Sequence, residues 1–194
     1  MTIKKYKKQF VALASPSGGG KTTLCKMLLK KYSDTCLSIS FTTRSPRGEE
    51  KDGADYHFVS QEKFQSLIQN QELVEWAEVH GKYYGTSKKY LEERSQEGKI
   101  VLLDIDVQGV DSLKRIFGNR CLSFFILPPS LQELEARLRA RNTESEEKLQ
   151  QRLRNAEKEI SRSKDFDYQI VNNDLNQTFL DLCKIFEKEV GIHE

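Results

Sequence analysis

The run Ala14-Ser15-Pro16-Ser17-Gly18-Gly19-Gly20-Lys21-Thr22-Thr23-Leu24 constrains this chain more than any other stretch. It joins an apolar segment, Phe10-Val11-Ala12-Leu13-Ala14, to one with helical apolar spacing, Leu24-Cys25-Lys26-Met27-Leu28-Leu29. Three successive glycines let backbone N–H groups converge on an anion without interference from Cβ, and the helix start behind them adds partial positive charge. Lys21 is then placed to reach the β- and γ-phosphates of a nucleoside triphosphate, and the Thr22 hydroxyl to ligate magnesium. The P-loop pattern has Gly, four free residues, then Gly-Lys-Ser/Thr, whereas here Ser15 stands at the first glycine's place. A small residue leaving a strand is compatible with that turn. The alternative, a flexible glycine linker ahead of a lysine, leaves the strand and helix on either side unexplained.

A chain of 194 residues can bury one substantial core, with room for inserted subdomains. Its 31 basic and 29 acidic residues leave a formal charge of +2, so no global field calls for nucleic acid. Cys25, Cys36, Cys121 and Cys183 have no C-x-x-C spacing and sit in or beside apolar stretches, which reads as buried free thiols in a reducing cytoplasm. Lys4, Lys5, Lys7 and Lys8 precede an apolar run too short for a signal-peptide core, and no segment is long enough to span a membrane. The expected partners are therefore small molecules, with neither nucleic acid nor membrane, and the oligomeric state stays open.

Periodicity predicts an α/β chain: a strand near 9–14, a helix near 20–32, a strand near 37–41, then a polar loop from Thr42 to Lys51. Between about 40 and 95 the pattern changes to short segments at 56–59, 73–79 and 82–84 with one helix near 61–69, a small and mostly β insertion. The apolar run at 100–106 reads as a buried parallel strand ending in carboxylates, followed by a helix near 107–117 and a strand at 121–127 that Pro128-Pro129 stops. Ser130 caps a helix carrying Leu131, Leu134 and Leu138. Thr143 with Glu146 forms a capping box for a second helix carrying Leu149, Leu153, Ala156 and Ile160. A strand near 167–171 and a helix near 175–190, with Leu175, Phe179, Leu182 and Phe186 on one face, complete the pattern.

A second anion site is suggested by Ser40-Phe41-Thr42-Thr43-Arg44-Ser45-Pro46-Arg47, where two guanidinium groups could clamp a phosphate. Taken alone, the segment fits a solvated basic loop equally well. The chain as a whole resembles the guanylate kinases, from the cradle almost to the C-terminus. The resemblance rests on S-P-S-G-G-G-K-T-T-L at 15–24, S-x-T-T-R-x-P-R at 40–47, D-Y-H-F-V at 55–59 and E-W-A-E-V-H-G-K-Y-Y-G-T at 75–86. It continues with L-D-I-D-V-Q-G-V at 103–110, P-P-S at 128–130, L-R-A-R-N-T-E-S-E-E at 138–147 and I-V-N-N at 170–173. It implies a three-layer P-loop core with a parallel sheet, a GMP-binding insertion, an arginine-rich helical lid, and transfer of phosphate from MgATP to GMP. The corresponding division of a single domain 1–194 is a core of about 1–39, 96–136 and 156–194, an insertion of about 40–95 and a lid of about 137–155.

By the same resemblance, ATP is held by Ser15, Pro16, Ser17, Gly18, Gly19, Gly20, Lys21, Thr22 and Thr23, with Arg137 on the adenine and Asn172 and Asn173 beside it. Thr22 ligates Mg²⁺ directly and Asp104 through water, a buried structural carboxylate pinned by backbone donors being the plainer alternative for Asp104. Arg44, Arg47 and Tyr56 hold the GMP phosphate with help from Tyr84, although either tyrosine also reads as a core aromatic. Ser40, Glu75, Thr86 and Asp106 surround the guanine. A carboxylate suits that place because guanine offers N1–H and an exocyclic amine as adjacent donors, and Glu75 as a solvent-facing strand residue is the plainer alternative. Lys21, Arg44, Arg47, Arg141 and Arg152 form the catalytic set, while Arg139 and Arg154 read as solvated. Asn173, Glu49 and the missing proline after Arg47 depart from the family pattern. A ribose-bisphosphate phosphokinase would not need the guanine set, and a guanylate-kinase-like scaffold module would lack the intact cradle.

Overall fold

The computed structural model describes residues 6–79, 81–140 and 145–191. Strands β1 (Phe10–Ala14), β2 (Thr35–Leu37), β7 (Ile100–Asp104), β8 (Cys121–Leu127) and β9 (Tyr168–Val171) form a five-stranded sheet in the order β2-β7-β1-β8-β9, every pairing parallel. Its central strands are almost wholly apolar, the exceptions being Asp104 at the end of β7 and the buried Ser123 in β8, because both faces are covered. One face puts Phe10, Ala12, Val101 and Leu103 against Val110, Leu113 and Phe117 of helix α4 (Val107–Phe117). The other puts Val11, Leu13 and Leu102 against Leu24 and Leu28 of α1 (Lys21–Lys31) and against Leu182 and Phe186 of α7 (Leu175–Val190). Each such side chain contributes about 1.5–3 kcal/mol on burial, so alternation along five-residue strands is enough to fix the three layers.

A second sheet, in the order β4-β3-β6-β5, is built from β3 (Ser40–Thr42), β4 (His57–Phe58), β5 (Leu73–Val79) and β6 (Lys82–Ser87). Helices α2 (Gln61–Gln69) and α3 (Lys88–Gln96) accompany it, capped by the side chains of Ser60 and Ser87. The strand expected near 37–41 is in fact two strands in different sheets: β2 pairs with β7, and β3 pairs with β6 after Ser38 and Ile39 carry the chain across. Helix α3 was not anticipated, because its nine residues show few apolar side chains and bury only Leu91 and Ser95.

Helices α5 (Leu131–Ala140) and α6 (Glu146–Ser161) pack through Leu134, Leu138, Leu149 and Ala156. The Ser130 hydroxyl accepts from Glu133 N at 3.1 Å, as the cap signal implies. Thr143 of the expected capping box lies outside the described residues, and Ser145 stands at the N-cap of α6. Among the described residues no helix is long and apolar enough to cross a membrane. All four cysteines are free, with Cys36 half-buried rather than buried.

Candidate active site

The glycine run leaves β1 and enters α1 with Gly18 at φ +94° and Gly20 at φ +97°, left-handed conformations that require glycine. Gly19 N donates to Pro16 O at 2.9 Å, closing the turn. Lys21 and Thr22 open α1, so both side chains emerge where the helix dipole is positive. Parallel pairing of β1 with β7 sets Leu13 opposite Asp104, which brings a carboxylate to the end of the loop. Thr22 Oγ1 donates to Asp104 Oδ2 at 2.6 Å and Lys21 Nζ lies 3.3 Å from Asp104 Oδ1. Hydroxyl and carboxylate oxygens side by side are the hard donors that Mg²⁺ takes.

Two arms reach out from the helical pair, one to the cradle and one to the turn after β9. Arg152 of α6 donates to Ser17 Oγ, and Arg137 of α5 donates to Asn172 O at 3.3 Å. Leu134 and Leu138 press α5 onto Gly18, 3.3 and 3.2 Å from where a Cβ would stand. Arg141 lies outside the described residues. Arg139 is not simply solvated: its fork grips Glu146 at 2.7 and 2.9 Å and so clasps α5 to α6.

Across the cleft, Arg44 is only 8% exposed and its guanidinium lies 5.2 Å from the Tyr56 ring centre, with Tyr56 6.0 Å from Tyr84. Burial pushes the Tyr56 phenol up, which keeps it a neutral donor. Glu50, which sequence reasoning missed, accepts both Nη atoms of Arg44 at 2.8 and 2.9 Å and Arg47 N at 2.8 Å. These bonds hold the Glu50 carboxyl below its ordinary range and Arg44 firmly cationic. Arg47 itself is exposed.

Of the four residues expected around a guanine, strand register brings three together. Ser40 pairs with Thr86 and Thr86 with Glu75, one rung across β3, β6 and β5. Thr86 is fully buried and its hydroxyl donates to Glu75 Oε1. Burial raises the Glu75 pKa and Asp106 adds to the rise, while the Thr86 bond opposes it. Asp106 lies beyond the end of β7 and caps α4, accepting Gly109 N at 2.8 Å. Gly109 matters here, because a Cβ on it would lie 3.3 Å from Glu75 Cγ.

One cleft of about 440 Å³ is lined from both sides, by Thr22, Lys26 and Asp104 of the cradle region and by Ser40, Glu50 and Tyr56 beside the small sheet. The family model for guanylate kinase matches residues 7–189. The chain belongs to the guanylate kinase family. The guanylate kinase of Synechocystis sp. is 45% identical over 183 residues, covering 94% of this chain and 95% of that one. That of Myxococcus xanthus is 44% identical over 180 residues, 92% of this chain and 86% of its own. The crystal structure of guanylate kinase from Anaplasma phagocytophilum superposes with a TM-score of 0.75 at 35% identity, covering 97% of this chain and 89% of that one.

Within this guanylate kinase fold, Asn172 commits its side chain to internal hydrogen bonds. Its side chain is turned under the cradle, 5% exposed, with Nδ2 donating to Gly19 O at 2.9 Å and Oδ1 accepting from Thr178 Oγ1 at 3.2 Å. A buried amide satisfied at both ends supports the loop rather than facing a ligand. Asn173 is exposed. Glu159 of α6, also unanticipated, is half-buried with its pKa raised by burial, while the charge of Lys21 opposes the rise and that of Asp106 adds to it. Its sequence context, a glutamate in a charge-rich helix, carries no signal of that placement.

Proposed function

We propose that this chain transfers the γ-phosphoryl group of ATP to GMP, giving ADP and GDP. The observation that carries the reading is the cleft lined by Thr22 and Asp104 at the end of the cradle and by Ser40, Glu50 and Tyr56 beside the small sheet, where Glu50 and Tyr56 also hold Arg44. An oxygen of the GMP phosphate attacks the γ-phosphorus, the bond to the β,γ-bridging oxygen breaks, and ADP leaves with that electron pair. The acceptor oxygen is already ionised, so the task is to bring two anions together and to hold them in line.

In this assignment Ser15 to Thr23 cradle the ATP phosphates and Lys21 neutralises the β- and γ-oxygens. Arg44, Arg47, Tyr56 and Tyr84 seize the GMP phosphate, while Ser40, Glu75, Thr86 and Asp106 read the guanine. Arg152, Arg141 and Arg137 approach the donor from the helical pair, and Asn172 acts through the loop it supports. Mg²⁺, held by Thr22 with Asp104 behind it, supplies charge neutralisation on the phosphate oxygens. The division follows: a core carrying the five-stranded sheet, an insertion of about 40–95 for GMP, and a lid of about 137–155. Free thiols and the ATP and GMP requirement suit the cytoplasm.

A coupled assay of ADP production with MgATP and a panel of nucleoside monophosphates tests the reading. GMP is expected to exceed AMP, CMP and UMP by orders of magnitude in kcat/KM. Equal use of AMP would overturn it.

A further inference from the structure

We propose that Ser15 is a positioning residue of the donor-phosphate cradle, its side chain filling the space beneath Gly19. The assignment deepens the reading above, since it presumes that the cradle holds the donor phosphates. Three glycines stand in a row, and the backbone requires two of them. Gly18 and Gly20 lie in the left-handed region, whereas Gly19 does not, so an alanine at 19 is compatible with the chain's own conformation.

What excludes a side chain there is Ser15. A Cβ built on Gly19 would stand 2.8 Å from Ser15 Cβ, 2.8 Å from Ser15 Oγ and 3.1 Å from Pro16 O. Ser15 cannot swing aside, because its Cβ is fixed to the backbone at the end of β1. The residue is 6% exposed, and its hydroxyl donates at 3.0 Å to Pro16 O, which also accepts Gly19 N at 2.9 Å.

The general pattern has glycine at the first place and a free residue just before the last glycine. This chain has the two exchanged: a side chain at 15 and none at 19. The exchange restores packing that three glycines would otherwise forfeit. It holds the N–H groups of 18–20 in place before the anion arrives, which lowers the ordering cost of binding.

A double-mutant cycle tests this. Ser15→Gly alone is expected to raise the KM for ATP severalfold with a much smaller change for GMP. Gly19→Ala alone is expected to lower kcat/KM for ATP by about thirtyfold, as the loop is forced off its anion-binding shape. In the Ser15→Gly background the same alanine is expected to be tolerated, a coupling of about tenfold or more. Calorimetry of each variant with GMP, and with a non-hydrolysable ATP analogue, shows whether the fold and the acceptor site persist, and reads the coupling without turnover. If Gly19→Ala has the same effect in both backgrounds, or if Ser15→Gly shifts GMP as much as ATP, Ser15 has no such role. Failure of the wild-type chain to phosphorylate GMP would overturn the kinase reading but leave the coupling on analogue binding to decide Ser15.

Discussion

In the proposed reading, Glu75 is where stability and recognition conflict. Its carboxylate is drawn into a half-buried rung beside Asp106, and burial raises its pKa above the ordinary carboxylate value. The folded chain therefore holds that proton to a higher pH than the unfolded chain does. Above the raised pKa the ionised group weighs against folding, and below the unfolded value the penalty is gone. Glu75→Gln is expected to raise Tm at pH 7.5, with the gain fading as pH falls toward 4. The same change puts a donor against guanine's donors, so kcat/KM for GMP is expected to fall by about 100-fold or more and the GMP-to-AMP ratio to narrow. Steady-state kinetics and thermal melts across pH measure both. An unchanged ratio would make Glu75 an ordinary strand residue. Asn172 makes the complementary case: Asn172→Asp replaces the donor to Gly19 O with a carboxylate, and is expected to raise the KM for ATP about tenfold while leaving that for GMP nearly unmoved.

At the scale of elements, the arginines separate by what carries them. Arg152 rides on α6 and bonds Ser17 of the cradle, whereas Arg44 is fixed beside the small sheet by Glu50 and two aromatic rings. A group that meets only the transferring phosphoryl acts on kcat, and one that holds the acceptor phosphate acts on binding. Arg152→Met is expected to lower kcat by about 100-fold with little change in GMP KM, and Arg44→Met to raise GMP KM strongly as well. Identical kinetic patterns for the two would remove the distinction. Helices α4 and α7 match the sequence expectation to the residue, because each carries a broad apolar stripe. α3 lacks one, and its residues gave no sign of it along the chain.

For the whole molecule, the proposed donor and acceptor sites are made from separate segments that line one cleft through Thr22 and Asp104 on one side and Ser40, Glu50 and Tyr56 on the other, while Glu75 and Asp106 line another cavity. Lys21→Met is therefore expected to abolish turnover while GMP affinity, measured by calorimetry, stays within about threefold of wild type. Parallel loss of both would contradict the division. In the proposed reaction two like-charged substrates meet in that cleft, which favours closure, since expelling water strengthens every contact around the phosphates. A single molecule joining adenosine and guanosine through a phosphate chain is expected to raise Tm more than ATP or GMP alone at equal concentration. A smaller shift than either nucleotide gives would count against one shared cleft.

The sequence by itself determined what is local: the strand–glycine–helix loop, the order of elements in the core, and the residue types from which two anion sites are proposed. Periodicity and glycine dihedrals act over a few residues, so they can be read along the chain. Only the tertiary structure decided which groups meet. Register sets Asp104 against Lys21 and Thr22, and aligns Ser40, Thr86 and Glu75 in one rung. The turn after β9 sends the Asn172 side chain under the loop, where the buried carbonyl of Gly19 takes its donor. Ser15 explains a glycine four residues later only once both occupy the same space. Those contacts depend on pairing and packing between distant segments, and no local pattern encodes them.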